Sequence, residues 1–168
     1  MNTSKLTVNY NRCVSNRPED KKPMMTRVQA LIYMVALGLQ QSRIKTPNRG
    51  LLCWHSTGSG KTCTAACVMQ AFWNSNKNIV YLTSIEAKVA NPPYKFHDCI
   101  KQFFPNSEVA KRSKEQFSRR VQFFSFAQMA HYLQLYRGSG KDSDRAKRSM
   151  LLNNAVLIID EVQNLFHP

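Results

Sequence analysis

The chain has 168 residues, 43% of them hydrophobic, which suits one domain that buries roughly 68–70% of its unfolded surface. Its 24 Lys and Arg stand against 10 Asp and Glu, a formal net charge of +14, and such an excess points to polyanionic partners. No apolar run approaches the roughly 20 residues of a membrane span, the polar start has no secretory-signal pattern, and five cysteines without a C-x-x-C pair disfavour a zinc ribbon or a complete disulfide framework. Reduced thiols in an intracellular, reducing compartment and no membrane partner are therefore expected.

Residues 1–23 read as an irregular basic leader punctuated by Pro18 and Pro23, and residues 24–168 as the folded domain. Over 24–41, Val28, Leu31, Ile32, Val35 and Leu39 recur at helical spacing and predict an amphipathic helix. A turn, "KTPNRG", precedes a short apolar strand at 51–54, a loop at 55–60 and a helix over 61–73. The run "NIVYLTS" (78–84) has the β-branched and aromatic content of a buried parallel strand. Two helical pieces broken by Pro92 and Pro93 follow over 85–105. A strand at 120–125, a helix at 126–136, a basic Gly/Ser loop and a final buried strand in "NNAVLIIDEVQNLFHP" complete the chain. Strands alternating with helices predict an α/β fold with a parallel sheet and right-handed crossovers. Cys63 and Cys67, four apart on the helix after the loop, read as two small buried hydrophobes.

The stretch "LLCWHSTGSGKTCTAA" (51–66) fits G-x-x-x-x-G-K-[ST] except at its first position, where His55 stands for glycine. That glycine mainly eases a turn, whereas the terminal Gly-Lys-Thr carries the phosphate and metal chemistry. Backbone N–H groups of such a loop surround an anion, and the following helix adds its unpaired amides and positive dipole end. Gly58 and Gly60 permit close approach, Lys61 reaches the β- and γ-phosphates, and Thr62 ligates Mg²⁺. Thr57, Gly58, Ser59, Gly60, Lys61, Thr62 and Cys63 form the expected ATP-binding set. A second "GSGK" at 138–141 is a useful control: Asp142 replaces the threonine and no apolar helix follows, so it reads as a loop.

Asp160 and Glu161 close the apolar run "AVLII". In a parallel sheet, ligands collect beyond the carboxyl ends of the strands. Asp160 suits the carboxylate that holds Mg²⁺, and Glu161 the one that orients or deprotonates an attacking water. A kinase for a small metabolite needs no such water-activating acid, so the pair favours hydrolysis. The basic runs at 111–120 and 137–149 read, each alone, as solvated loops. Against the net charge, at least one is expected to contact nucleic-acid phosphates.

Together, "HSTGSGKT" resembles motif I and "IIDEVQNLF" the DExH-type motif II of the first RecA-like domain of a superfamily 2 helicase or translocase. Gln163 stands where histidine is usual. The likeness is greatest to helicases of large nucleocytoplasmic DNA viruses, of the type of the poxvirus early transcription factor small subunit, and spans residues 24–168. It implies that Gln29 reads adenine and that Thr83 and Ser84 contact the nucleic-acid backbone. It also places Ser125 and Phe126 in the strand-turn-helix before motif II, and for a viral protein implies host cytoplasm or virion. The chain stops just after motif II, so the resemblance implies a fragment, a split gene product or a truncated frame. A second RecA-like domain or subunit on another chain is the partner expected to complete it. The function expected is a nucleic-acid-dependent ATPase acting on DNA or RNA. The alternatives are a non-catalytic nucleotide- or nucleic-acid-binding module, or another P-loop ATPase such as a DNA-packaging motor.

Overall fold

The computed structural model describes residues 25–41, 50–53, 59–137 and 151–165. Its helices and strands in chain order are α1 (Arg27–Gln41), α2 (Lys61–Phe72), β1 (Asn78–Thr83), α3 (Ile85–Ala90), α4 (Pro93–Phe103), α5 (Glu108–Lys111), α6 (Lys114–Arg120), β2 (Val121–Ser125), α7 (Phe126–Arg137) and β3 (Ala155–Ile159). The chain divides into two compact units, residues 1–75 with 96–111 and residues 76–95 with 112–168.

In the first unit, Thr26 and Gln29 start α1 with a reciprocal capping box. Gln29 N donates to Thr26 Oγ1 (3.2 Å), and Thr26 N donates to Gln29 Oε1 (2.8 Å). The face that this helix buries differs from the one its spacing predicts. Gln29, Ala30, Ile32 and Ala36 are buried, while Val28 and Leu31 are about half exposed. Helix α1 packs on α2, whose own buried residues include Thr64, Ala66 and Cys67. Small side chains let two helix axes approach closely, and here that close fit outweighs the larger apolar residues on the neighbouring face. Phe96, Ile100 and Val109 are fully buried in the same unit, and the Tyr33 and Phe104 rings stack at 4.7 Å.

Residues 51–53 form no strand, and Leu51 and Leu52 are exposed, which corrects the strand expected at 51–54. Residue 54 lies outside the described residues. A strand needs a neighbour to take its backbone hydrogen bonds, and the sheet's ladder pairs other segments. The thiol expectation also changes. Cys63 on α2 and Cys99 on α4 form a disulfide, whereas Cys67 is a buried free thiol, as its reading as a small hydrophobe requires.

The second unit holds a three-stranded parallel sheet of order β2-β1-β3. Central β1 is buried from Ile79 to Thr83, as a near-continuous apolar run covered on both faces should be. Val80 and Leu82 cluster with Met129 of α7 and Leu151, and Phe124, Phe126 and Tyr132 pack against them. Strand β3 was expected to be buried, yet Leu157 and Ile159 are exposed. It is an edge of the sheet among the described residues, and its one ladder is to β1.

Two serine-led capping boxes set the helices beside β2. Ser113 and Gln116 start α6, and Ser125 and Gln128 start α7. The stretch 111–120 is therefore largely helical rather than a loop, with Phe117 of α6 fully buried. The S-x-x-Q spacing was the legible signal, and the density of charge obscured it. Arg120, at the end of α6, turns inward and donates to Lys77 O at 2.7 Å.

Candidate nucleotide site

Gly60 immediately precedes α2 with φ 83° and ψ 33°, a left-handed conformation that glycine adopts without the Cβ penalty. The helix ladder begins at Thr64 N, which donates to Gly60 O at 3.0 Å. The amides of Lys61, Thr62 and Cys63 lie ahead of that first bond, at the positive end of the helix. Gly60 O also accepts from Thr64 Oγ1 (3.2 Å) and from Gln29 Nε2 (3.3 Å). A Cβ at position 60 would come within 2.8 Å of that amide nitrogen. Gly60→Ala should therefore lower stability by about 1–2 kcal/mol, the usual cost of a left-handed L-residue, with loss of the Gln29 bond offset by reduced chain entropy. Urea unfolding monitored on α2 checks this, and an unchanged midpoint would contradict it.

Gln29 is 3% exposed. Its Oε1 accepts from Thr26 N, and its Nε2 donates to Gly60 O. The amide expected to read adenine thus also joins the start of α1 to the turn before α2. The T-x-x-Q capping signature was present in the sequence, and the 3% exposure of Gln29 excludes its alternative reading as an exposed polar residue on the helix. Thr57 and Gly58, and His55 with them, lie outside the described residues, while Ser59, Gly60, Lys61, Thr62 and Cys63 follow one another into α2. The Cys63 sulfur is bonded to Cys99, so Cys63 has only backbone groups to offer an anion. Burial pushes the Cys67 thiol up to about 12, so it stays protonated and inert.

In the second unit, the acid pair lies where β3 ends. Asp160 N donates to Leu82 O at 2.8 Å and carries the ladder one residue past the strand. Asp160 Oδ2 accepts a 2.7 Å hydrogen bond from the Tyr81 hydroxyl. Burial first, and the Asp160 carboxylate second, push the Tyr81 phenol far above its usual range, so the phenol remains the donor. Glu161 has φ 56°, uncommon for a residue with a Cβ. Asn154 shares that conformation (φ 53°), but as a turn asparagine tied to Lys77 Nζ and Asn76 O. Glu161 is a glutamate two residues past a strand, and such outliers concentrate at functional sites.

Among the described residues, no group of three or more His, Cys, Asp or Glu is placed to hold a metal ion. The Asp160 carboxylate in one unit and the Thr62 hydroxyl in the other are each hard oxygen donors of the kind that Mg²⁺ accepts beside phosphates and water. Of the two hydroxyls expected at the nucleic-acid backbone, one caps a helix and the other is buried. Ser84 Oγ caps α3 by accepting from Ala87 N. Thr83 is 1% exposed, and its hydroxyl meets no hydrogen-bond partner in acceptable geometry. Of the basic run, Lys111, Arg112, Lys114 and Arg119 are exposed, with Lys114 Nζ 5.0 Å from the Tyr94 ring centroid. The loop at 138–150 lies outside the described residues. Among those residues no helix is long and apolar enough to cross a membrane.

A three-stranded parallel sheet flanked by helices is an α/β arrangement of partial RecA-like type. The family profile described as "Type III restriction enzyme, res subunit" matches residues 23–166, and the chain belongs to that family, whose matched region is the N-terminal domain of superfamily 2 helicases. A protein of Acanthamoeba polyphaga mimivirus named "Putative ATP-dependent RNA helicase R563" is 28% identical over 138 residues, 72% of this chain and 22% of that protein. The chain spans about a fifth of the length of that curated relative. No solved structure matches the chain.

Proposed function

We propose that the chain is the ATP-binding domain of a nucleic-acid-dependent ATPase of helicase type. The observation that carries this reading is the family match over 23–166, with Gly60-Lys61-Thr62 at the head of α2. The first-turn amides and the Lys61 ammonium take the phosphates of ATP. Thr62 and Asp160 would supply oxygen ligands for Mg²⁺, which when bound would offset the negative charge of the phosphates. Glu161 orients a water and accepts its proton. Beyond its bonds to Thr26 and Gly60 among the described residues, the Gln29 amide has a second N–H and a second acceptor lone pair, which an adenine N7 and exocyclic amine would match. A transcription-related role extends this reading through the resemblance to the viral early transcription factor type.

Nucleic acid is held through its phosphates by the exposed cations of 111–120 and by the 137–149 run. Three to five contacts to a single strand give a log–log salt slope of about −2 to −3.5, at roughly −0.7 per phosphate. Affinity for single-stranded RNA or DNA should therefore fall about 20–130-fold from 50 to 200 mM salt, the range that slope implies. Fluorescence anisotropy measures it, run beside ATP hydrolysis with and without the strand. Salt-independent binding, or hydrolysis indifferent to saturating nucleic acid, would overturn the reading. Nucleotide and strand binding without any turnover would favour the non-catalytic module instead.

A further inference from the structure

Tyr81 lies on the central strand, one register step from the end of the paired segment: it faces Ile158, and Leu82 faces Ile159. Its ring is 1% exposed and meets Phe123 of β2 at 5.4 Å between centroids. Its hydroxyl donates to Asp160 Oδ2 across the β1–β3 pairing. The phenol is thus braced by the strand on one side and delivers its proton to the strand on the other. Asp160 is held twice by β1, through its own amide at Leu82 O and through its carboxylate at Tyr81. A carboxylate one residue past a strand would otherwise sample several rotamers. An O–H···O⁻ bond of 2.7 Å, charge-assisted and anchored on a buried ring, selects one of them.

We propose that Tyr81 is a positioning residue for Asp160, its hydroxyl fixing Oδ2 so that Oδ1 is presented as the ligand for the Mg²⁺ of Mg²⁺–ATP. The inference rests on the reading of Asp160 as the cation-holding acid and adds the group that aims it. Partners that orient a metal-ligating side chain typically contribute 10–100-fold in metal affinity. Phenylalanine at the same position would keep the ring contact with Phe123 while deleting the hydroxyl that meets Asp160.

The test uses equilibrium binding of a fluorescent, non-hydrolysed ATP analogue, titrated with Mg²⁺ and repeated in EDTA, on the whole chain and on Tyr81→Phe, Asp160→Asn and the double variant. The expected result has three parts. Tyr81→Phe raises the Mg²⁺ concentration for half-maximal binding by about 10-fold or more. It leaves binding in EDTA unchanged, and adds nothing once Asp160 is asparagine, because it acts through that side chain. A Tyr81→Phe titration that superimposes on wild type while Asp160→Asn shifts it would overturn the positioning role and leave the reading of Asp160 standing. Equal losses in Mg²⁺ and EDTA, or effects that add in the double variant, would overturn it as general damage to the fold. An Asp160→Asn titration identical to wild type would remove the underlying reading, and the inference with it.

Discussion

Lys61→Ala should weaken binding of an ATP analogue by about 10–100-fold while leaving the fold intact, a loss of roughly 1.5–3 kcal/mol for a hydrogen bond to a charged group. The residue is the first of α2, directly after left-handed Gly60. There its ammonium adds to the dipole end and to the first-turn amides rather than acting alone. Those amides remain in the variant, so some affinity persists and the effect stays short of complete loss. Alanine is the better helix former, which makes a stability penalty unexpected and separates binding from folding in one experiment. Isothermal titration calorimetry at fixed ionic strength gives the affinity, and thermal unfolding gives the control. Full affinity in a folded Lys61→Ala chain would show that Gly60-Lys61-Thr62 is an ordinary turn before a helix.

The parts legible in the sequence are those fixed by local chemistry. The β-branched run at 78–83 reads as a buried strand and is one, and the strand expected at 120–125 forms over Val121–Ser125. Pro93 starts α4, as a residue without an N–H can at a first helical position. Gly-Lys-Thr announced α2. What stayed hidden depends on partners far along the chain. The core face of α1 is decided by the small residues of α2, which helical periodicity alone does not weigh. The apolar 51–54 run had strand propensity, but pairing decides whether a strand exists. The Tyr81–Asp160 bond joins residues 79 apart, and the Cys63–Cys99 bond residues 36 apart. No local pattern marks either. The capping boxes at Thr26 and Ser113 were readable and were outweighed, in one case by a ligand-binding interpretation and in the other by charge.

Glu161→Gln should leave nucleotide affinity within about twofold and lower strand-stimulated hydrolysis by about 10²–10⁴-fold, the usual contribution of a positioned general base. The amide keeps the shape and hydrogen-bonding reach of the carboxylate but cannot take a proton from water. Backbone conformation adds a second, independent reading of the same position. At φ 56° a residue with a Cβ carries about 1–2 kcal/mol of strain, which glycine would relieve at an unfolded-state entropy cost of roughly 0.5–1 kcal/mol. Glu161→Gly is therefore expected to melt within a few degrees of wild type, the relieved strain offsetting the side-chain interactions it deletes, even though it removes the proposed base entirely. Stopped-flow phosphate release with saturating RNA or DNA, beside thermal unfolding of both variants, tests the two halves together. Undiminished turnover in Glu161→Gln would take the proton-accepting role away from this residue. A Glu161→Gly chain that unfolds several degrees early would show instead that side-chain contacts of Glu161 hold the turn after β3.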